Sequence, residues 1–256
     1  VSPAWMLRGF FVLGVAAWHL ARKNETSLFT KAVRIAAPFT LIMALLVGIA
    51  GHQQGMNVAE YQPAKMAAME SHWTTQTRAP MYLLAWPDQE NGRNLVEALP
   101  IPGLMSFIAF NDINAEVKGL SDFAKEDIPP VLPTFLSFRI MVGLGCLFIL
   151  VAAWAWWRRK DLASDTRLAK ILPWMIPLPY ITIMLGWTVA EVGRQPWIVY
   201  NLMRTSDAVS PVPTSSVLIS VIAFLVIYTL LGLIDIWLLY SNSRKGPEPV
   251  KAAEEA

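Results

Sequence analysis

Residues 171–190 read ILPWMIPLPYITIMLGWTVA, and the chain continues EVGRQPW as far as residue 197. The first of these runs carries no charge and, at about 1.5 Å per helical residue, is long enough to cross the apolar core of a bilayer. Glu191 follows at its end, and an ionisable group in or beside a membrane span is a candidate functional residue. Arg194 comes three residues later and would share its helical face, while Pro196 makes further regular helix unfavourable.

Composition indicates a membrane protein over the whole chain. Apolar residues make up 55% of the sequence, the mean hydropathy is +0.43, and there are eleven tryptophans, a residue that favours membrane interfaces. The net charge of +2 is too small to indicate a nucleic-acid partner. The single cysteine, Cys146, lies in an apolar run and excludes a disulfide within the chain.

Five apolar segments predict an all-α fold, a multi-pass transmembrane helical bundle of about five helices. The segments are 5–21, 33–50, 134–157, 171–192 and 215–240. The first is short and contains Arg8, so we expect the chain to begin partway through a helix. The first two segments form a predicted unit over residues 1–50, and the last three form another over residues 133–240.

Basic residues predict which ends of these helices face the cytoplasm. They cluster between segments one and two, between segments three and four, and after segment five, and include Arg22, Lys23, Lys31, Arg34, Arg158, Arg159, Lys160, Arg167, Lys170, Arg244 and Lys245. These three regions alternate with the other connections, as a consistent multi-pass topology requires. Residues 241–256 are then predicted to form a disordered cytoplasmic tail.

The connection over residues 51–132 is predicted to be a long external loop. It holds ten Asp and Glu against five Lys and Arg, which reverses the charge of the cytoplasmic regions. Several prolines interrupt it, and a connection this long is usually functional. Residues 64–76 lack proline and place Met66, Met69 and Trp73 at helical intervals, so a short amphipathic helix is expected there.

The run GWTVAEVGRQPW over residues 186–197 resembles the signature of subunit I of the cytochrome bd quinol oxidases, which are bacterial haem-containing terminal oxidases. The resemblance implies that Glu191 ligates the high-spin b haem, with Trp187 one helical turn away beside the same haem. Arg194 could pair with a haem propionate through its fork of donors. The plainer interpretation of Glu191 and Arg194 is a salt bridge that orders a helix end.

Phe-Arg-Ile-Met at residues 138–141 is a second matching motif. Methionine in an apolar helix usually serves packing, but the resemblance implies that Met141 ligates the low-spin b haem and that Arg139 lies close by. It also implies that the second ligand of this haem is a histidine upstream of Val1, and that the d-type haem ligand lies outside this chain. The histidines present, which are His19, His52 and His72, are poor substitutes.

Lys65-Met-Ala-Ala-Met-Glu70 is the third matching motif. A lysine and a glutamate on a surface helix are most often merely solvated. A donor and an acceptor can also hold the two oxygens of a quinol and take its protons. In cytochrome bd oxidases such a pair is implicated in quinol oxidation, so the resemblance assigns this role to Lys65 and Glu70 and makes residues 51–132 the quinol-binding loop.

These observations together predict a portion of a quinol:oxygen oxidoreductase of the bacterial inner membrane, inactive as an isolated fragment. The expected partners are subunit II, small accessory subunits, the remaining half of subunit I, membrane lipid and quinol. A proton-coupled transporter or ion-conducting subunit without haem, using Glu191, Arg194 and Asp235 as a relay, is the alternative. A non-catalytic structural homologue is a third possibility, disfavoured because all the motif residues are present.

Overall fold

The computed structural model describes residues 2–160 and 166–245, and the chain divides into two compact units, one up to Ala208 and one from Val209. Helix is the main secondary structure of both units. The α-helices of the described residues are α1 (Ser2–Ala21), α2 (Thr26–Tyr61), α3 (Pro63–Glu70), α4 (Leu104–Phe110), α5 (Val131–Trp157), α6 (Thr166–Ile171), α7 (Leu178–Glu191) and α8 (Thr214–Lys245).

Four of these helices, α1, α2, α5 and α8, are long and apolar enough to cross a membrane, and α6 with α7 makes a fifth if the bent pair counts as one span. The predicted number of spans therefore agrees with the structure. The axis bends by 40° between the two halves of the pair, where a 3₁₀ turn (Leu172–Met175) intervenes. Pro173, Pro177 and Pro179 explain the break, because each lacks the N–H that a continuous helix needs.

Small residues let α1 and α2 pack closely in the first unit. A Cβ added at Gly9 would lie 2.3 Å from the Thr40 hydroxyl oxygen, so only glycine fits at this crossing. Gly14 meets the 3₁₀ turn in the same way, with a Cβ position 2.9 Å from the Leu172 carbonyl oxygen. The main buried cluster joins α1, α2, α5 and the α6 region, and its largest members are Phe10, Leu13, Phe148, Leu168 and Leu172.

Six strands within residues 2–160 and 166–245 correct the all-α expectation. They form three two-stranded antiparallel sheets: β1 (Gln76–Thr77) with β4 (Glu116–Val117), β2 (Met81–Asp88) with β3 (Arg93–Ile101), and β5 (Trp197–Val199) with β6 (Met203–Arg204). The hairpin of β2 and β3 closes through an Asp-Gln-Glu-Asn-Gly turn in which Gly92 has φ +64°. Pro87 and Pro100, two of the prolines that interrupt the 51–132 connection, both fit a ribbon whose strands each have one free edge.

The 51–132 region is more structured than the sequence predicted. Helix α2 continues past residue 50 to Tyr61, and the amphipathic helix expected over 64–76 is instead α3, which ends at Glu70. Ser71 terminates α3 by adopting a left-handed conformation with φ 53°. This stop ends the helix a few residues before the chain enters β1.

Helix α8 makes up the described part of the second unit. It runs without proline from Thr214 to Lys245, and none of its residues is buried. Its last turn carries Arg244 and Lys245, whose charges suit the negative end of the helix dipole. The predicted tail of 241–256 falls mainly outside the described residues, since α8 includes its first part.

Candidate functional site

Glu70 and Arg139 form an ion pair between α3 and α5. An Nη2 atom of Arg139 donates to Oε2 of Glu70 at 2.5 Å, and the Glu70 side chain is only 2% exposed. Burial raises the pKa of Glu70 to about 7, and the positive charge of Arg139 opposes this shift only in part. The other carboxylate oxygen, Oε1, is buried and has no hydrogen-bond partner among the described residues. This carboxyl group is therefore able to exchange a proton near neutral pH.

Met141 lies two residues further along α5 and contacts α7. Its sulfur would be 3.2 Å from a Cβ added at Gly186, so the absence of a side chain at that position accommodates the thioether. Met141 is half-buried. A sulfur donor thus lies where α5 packs against α7.

Glu191 ends α7 and pairs with Arg194, as the spacing of three residues predicted. Both side chains are partly exposed, at 41% for Glu191 and 37% for Arg194. Gln195 donates its amide to the Glu191 carbonyl oxygen at 3.3 Å and so helps to order the helix end. Trp187, one turn earlier, is 66% exposed. The structure brings these three motif residues together on an accessible end of α7.

Lys65 contacts the same end of α7 rather than the Glu70–Arg139 pair. Its Nζ donates to the carbonyl oxygen of Ala190 at 3.3 Å. Burial lowers the pKa of Lys65, and the charge of Arg194 adds to that shift while Glu191 opposes it. A Cβ added at Gly193 would lie 3.3 Å from Lys65 Cε, so this glycine leaves room for the lysine stem. Helix α3 therefore touches α5 through its last residue and α7 through Lys65.

The sequence did not indicate the pairing of Glu70 with Arg139. The two residues are 69 positions apart, and no local spacing rule connects them. For the same reason, the sequence did not indicate that Gly186 leaves room for Met141 or that Gly193 leaves room for Lys65. Only the motif that contains Gly186 and Gly193 drew attention to this region.

The three histidines lie in different surroundings. His19 is 2% exposed and stacks on Phe29, with ring centroids 4.3 Å apart. His52 shares a hydrogen bond of 2.9 Å with Asn111. His72 is also buried, at 5% exposed, beyond the end of α3.

The fold and this site define an α-helical multi-span membrane protein whose charged residues gather where the spans meet the connecting segment. The family model for cytochrome bd terminal oxidase subunit I matches residues 1–247. The chain therefore belongs to the cytochrome bd terminal oxidase subunit I family, a family of respiratory membrane oxidoreductases, and the resemblance predicted from the three motifs is confirmed.

Relatives and a solved structure agree with this assignment. The chain is 37% identical over 252 residues to the cytochrome bd ubiquinol oxidase subunit 1 of Bacillus subtilis, which covers 93% of this chain and 54% of the relative. It is 34% identical over 263 residues to a putative cytochrome bd menaquinol oxidase subunit I of the same organism, at 99% and 58% coverage. The bd oxidase structure from Geobacillus thermodenitrificans matches with a TM-score of 0.84 and 30% identity, over 96% of this chain and 56% of that one. The chain thus spans a little over half the length of these relatives.

Proposed function

We propose that this chain is the part of a quinol oxidase subunit I that oxidises quinol at the outer membrane face and carries residues that would ligate two b haems. The complete enzyme would reduce dioxygen to water. The observation that best supports this proposal is the buried contact of Glu70 with Arg139, because it joins the motif assigned to quinol to the helix that carries Met141. The proposed proton acceptor, Glu70, therefore lies beside the helix that carries the proposed haem ligand, Met141.

The quinol-binding role is assigned to Lys65 and Glu70, the polar residues near the two ends of α3. Oxidation of one quinol yields quinone, two protons and two electrons. Oε2 of Glu70 is held by Arg139, whereas Oε1 has no partner among the described residues and can accept a proton from a quinol hydroxyl. Lys65 uses one N–H on Ala190 and has others with which to bind the second quinol oxygen.

The haem-binding roles follow from the donors on α5 and α7. Met141 would ligate the low-spin b haem together with a histidine outside this chain, with Arg139 nearby. Glu191 would ligate the high-spin b haem, with Trp187 and Arg194 beside it. The ligand of the d haem lies outside this chain as well. When bound, the haems supply the redox centres that take electrons from quinol and deliver them to dioxygen.

The residues present suit such groups. No cluster of three or more His, Cys, Asp or Glu that could hold a bare metal ion occurs within residues 2–160 and 166–245. Haem iron needs only one or two protein ligands, since the porphyrin supplies four nitrogens. The Met141 sulfur beside Gly186 and the partly exposed carboxylate of Glu191 are donors of the required kinds.

The same proposal places the protein in the bacterial inner membrane with its C-terminus in the cytoplasm. Subunit II, the other half of subunit I, small accessory subunits and lipid would be its partners. The basic residues at the α1–α2 connection and at the ends of α5 and α8 support this orientation.

Absorbance of the purified, assembled complex tests the proposal as a whole. A reduced-minus-oxidised spectrum should show b-type haem, and the complex should consume oxygen when given quinol. A haem-free complex would overturn the proposal and favour the transporter alternative based on Glu191, Arg194 and Asp235.

Lys65→Ala in the assembled oxidase is expected to impair quinol oxidation while haem content stays near normal. The variant removes a quinol contact, and the loss in kcat/KM should be at least about tenfold, because a hydrogen bond to a charged group contributes about 1.5–3 kcal/mol and about 1.4 kcal/mol corresponds to tenfold. Steady-state oxygen consumption at varied quinol concentration, with haem quantified in parallel, measures this. Lys125→Ala, an exposed lysine in the same connection, is the matched control. Full activity in Lys65→Ala would make Lys65 a purely structural residue.

Met141→Leu is expected to change the low-spin b haem and little else. Leucine conserves volume, so folding should cost less than about 1.5 kcal/mol. Loss of the thioether should lower the haem potential or remove its six-coordinate spectrum, because a methionine ligand raises the potential. A redox titration followed by absorbance measures both. Met43→Leu, which changes a half-buried methionine of α2, should leave them unaltered. An unchanged potential in Met141→Leu would leave Met141 with a packing role only.

A further inference from the structure

His72 lies in the turn that follows α3, two residues beyond Glu70, and is fixed there by the backbone. Its N–H donates to the Ala67 carbonyl at 2.8 Å, and its own carbonyl accepts from the N–H of Leu120, also at 2.8 Å. The residue is only 5% exposed. The hydrogen-bonded turn at the end of α3 therefore fixes the backbone of His72 relative to that of Glu70.

Two buried polar atoms in this turn have no hydrogen-bond partner within the part of the chain that the structure describes. They are Oε1 of Glu70 and Nε2 of His72. Buried polar atoms are nearly always paired, so each such atom calls for a water or a functional explanation. Two residues span at most about 7 Å of backbone, so the two side chains start from neighbouring points, and ordered water is able to connect polar atoms that do not touch directly.

The groups around the His72 side chain include one that is exposed to solvent. The imidazole makes a backbone hydrogen bond with Val117 on β4, and the charged group that acts on it is Glu97 of β3. Glu97 is exposed and accepts a hydrogen bond from the Asn94 amide at 2.8 Å. Burial lowers the pKa of His72 despite these two influences and so favours the neutral ring, in which one nitrogen is an acceptor.

If Glu70 accepts protons from quinol, it needs a neighbouring base to which it can pass them. Its side chain is 2% exposed, and the one charged group paired with it within the described residues is Arg139, which cannot accept a proton. A proton taken by Glu70 must leave before the next quinol can react. The unpartnered nitrogen of His72 is the nearest base along the chain in the direction of the exposed hairpin.

We propose that His72 is a proton relay that carries protons from Glu70 to the outer solution by way of Glu97. The proposal rests on the proposed quinol-oxidising function. In each transfer the O–H bond at Oε1 of Glu70 breaks and an N–H bond forms at Nε2 of His72, directly or through one water. The imidazolium then gives a proton to water or to the Glu97 carboxylate, which restores neutral His72 and ionised Glu70. No electron moves in these steps.

His72→Gln in the assembled oxidase tests the relay, because glutamine can keep the hydrogen bond to Val117 but cannot carry a proton. Turnover should fall at least about tenfold, while the haem spectrum stays unchanged and quinol KM stays within about twofold. The solvent isotope effect on turnover in D2O should increase, since proton release becomes limiting. Loss of packing alone would not produce that increase. Unchanged turnover with an unchanged isotope effect would overturn the relay.

Glu97→Gln provides a second test that does not disturb the core. It should lower turnover about twofold to threefold and raise the isotope effect, whereas Glu90→Gln, an exposed acid in the turn of the same hairpin, should do neither. Equal behaviour of these two variants would contradict the relay even if His72→Gln failed to assemble. Normal His72→Gln beside an impaired Glu70→Gln would reject the relay alone, whereas full activity in Glu70→Gln would reject the quinol-oxidising function on which it rests.

Discussion

Glu70→Gln is expected to lower quinol oxidation by about 10²–10⁴-fold in the assembled oxidase, the range that general acid–base catalysis covers. The amide keeps the size of the side chain, and its oxygen still accepts the hydrogen bond from Arg139, so haem content should be retained. What is lost is the acceptor at Oε1, the buried oxygen without a partner within the described chain. Oxygen consumption with quinol, normalised to haem, measures the effect. Glu60→Gln, an exposed acid at the end of α2, is the control and should be fully active.

The pKa of Glu70 also predicts the direction in which turnover changes with pH. The pKa of Glu70 is raised by burial to about 7. Below that pH the carboxyl is protonated and cannot take a proton from quinol, so wild-type turnover should rise as pH increases through about 7. In Glu70→Gln this rise should be absent. A variant that kept both the turnover and the rise would show that Glu70 is not the acceptor.

The same pKa shift predicts a change in stability with pH. Because the folded-state pKa lies above the usual value of 4.5, the stabilising contribution is complete below about pH 4.5 and is lost as pH rises to about 7. Thermal unfolding of Glu70→Gln should therefore vary less with pH across this window than unfolding of the wild type.

The membrane spans could be predicted from sequence because their signal is local. A run such as 134–157 carries one charged residue, Arg139, near its start and is otherwise almost entirely apolar, so its length and composition identify a span. The hairpin of β2 and β3 could not be predicted, since its strands alternate poorly and both contain proline. Its Leu84, Leu95 and Leu99 are exposed, so the apolar periodicity that marks a buried strand face is missing.

In the candidate site as well, contacts between residues close in sequence could be predicted, whereas contacts between residues far apart in sequence could not. The Glu191–Arg194 pair follows from a spacing of three residues, and a salt bridge was the plainer of the two interpretations of these residues. The contacts of α3 depend on how distant helices pack, and sequence spacing carries no information about them. Lys65 and Glu70 were expected to act as one pair, yet their side chains contact different helices, α7 and α5. A quinol that binds both must therefore lie across α3 rather than beside one of its faces.

Glu191→Gln is expected to have the other large effect, because the carboxylate is proposed to be an iron ligand and not only half of a salt bridge. Glutamine keeps the size and the hydrogen-bonding capacity but removes the anionic donor. The high-spin b haem should be depleted or altered, and oxygen reduction should fall more than about 100-fold, beyond the usual cost of losing an outer-shell partner. Haem quantitation and the spectrum of the assembled oxidase measure this.

Arg194→Gln is the matched variant, since it removes the partner charge and leaves the proposed ligand. Its effect should be smaller, about 10- to 100-fold on haem retention, with a shift in potential. The two hypotheses separate because Glu191 and Arg194 are similarly exposed, at 41% and 37%, and removal of either one disrupts the same ion pair. A purely structural pair therefore predicts equal losses of assembled protein with a normal high-spin signal in what remains. That result would defeat the ligand assignment, whereas loss of the signal in Glu191→Gln alone requires the carboxylate at the iron.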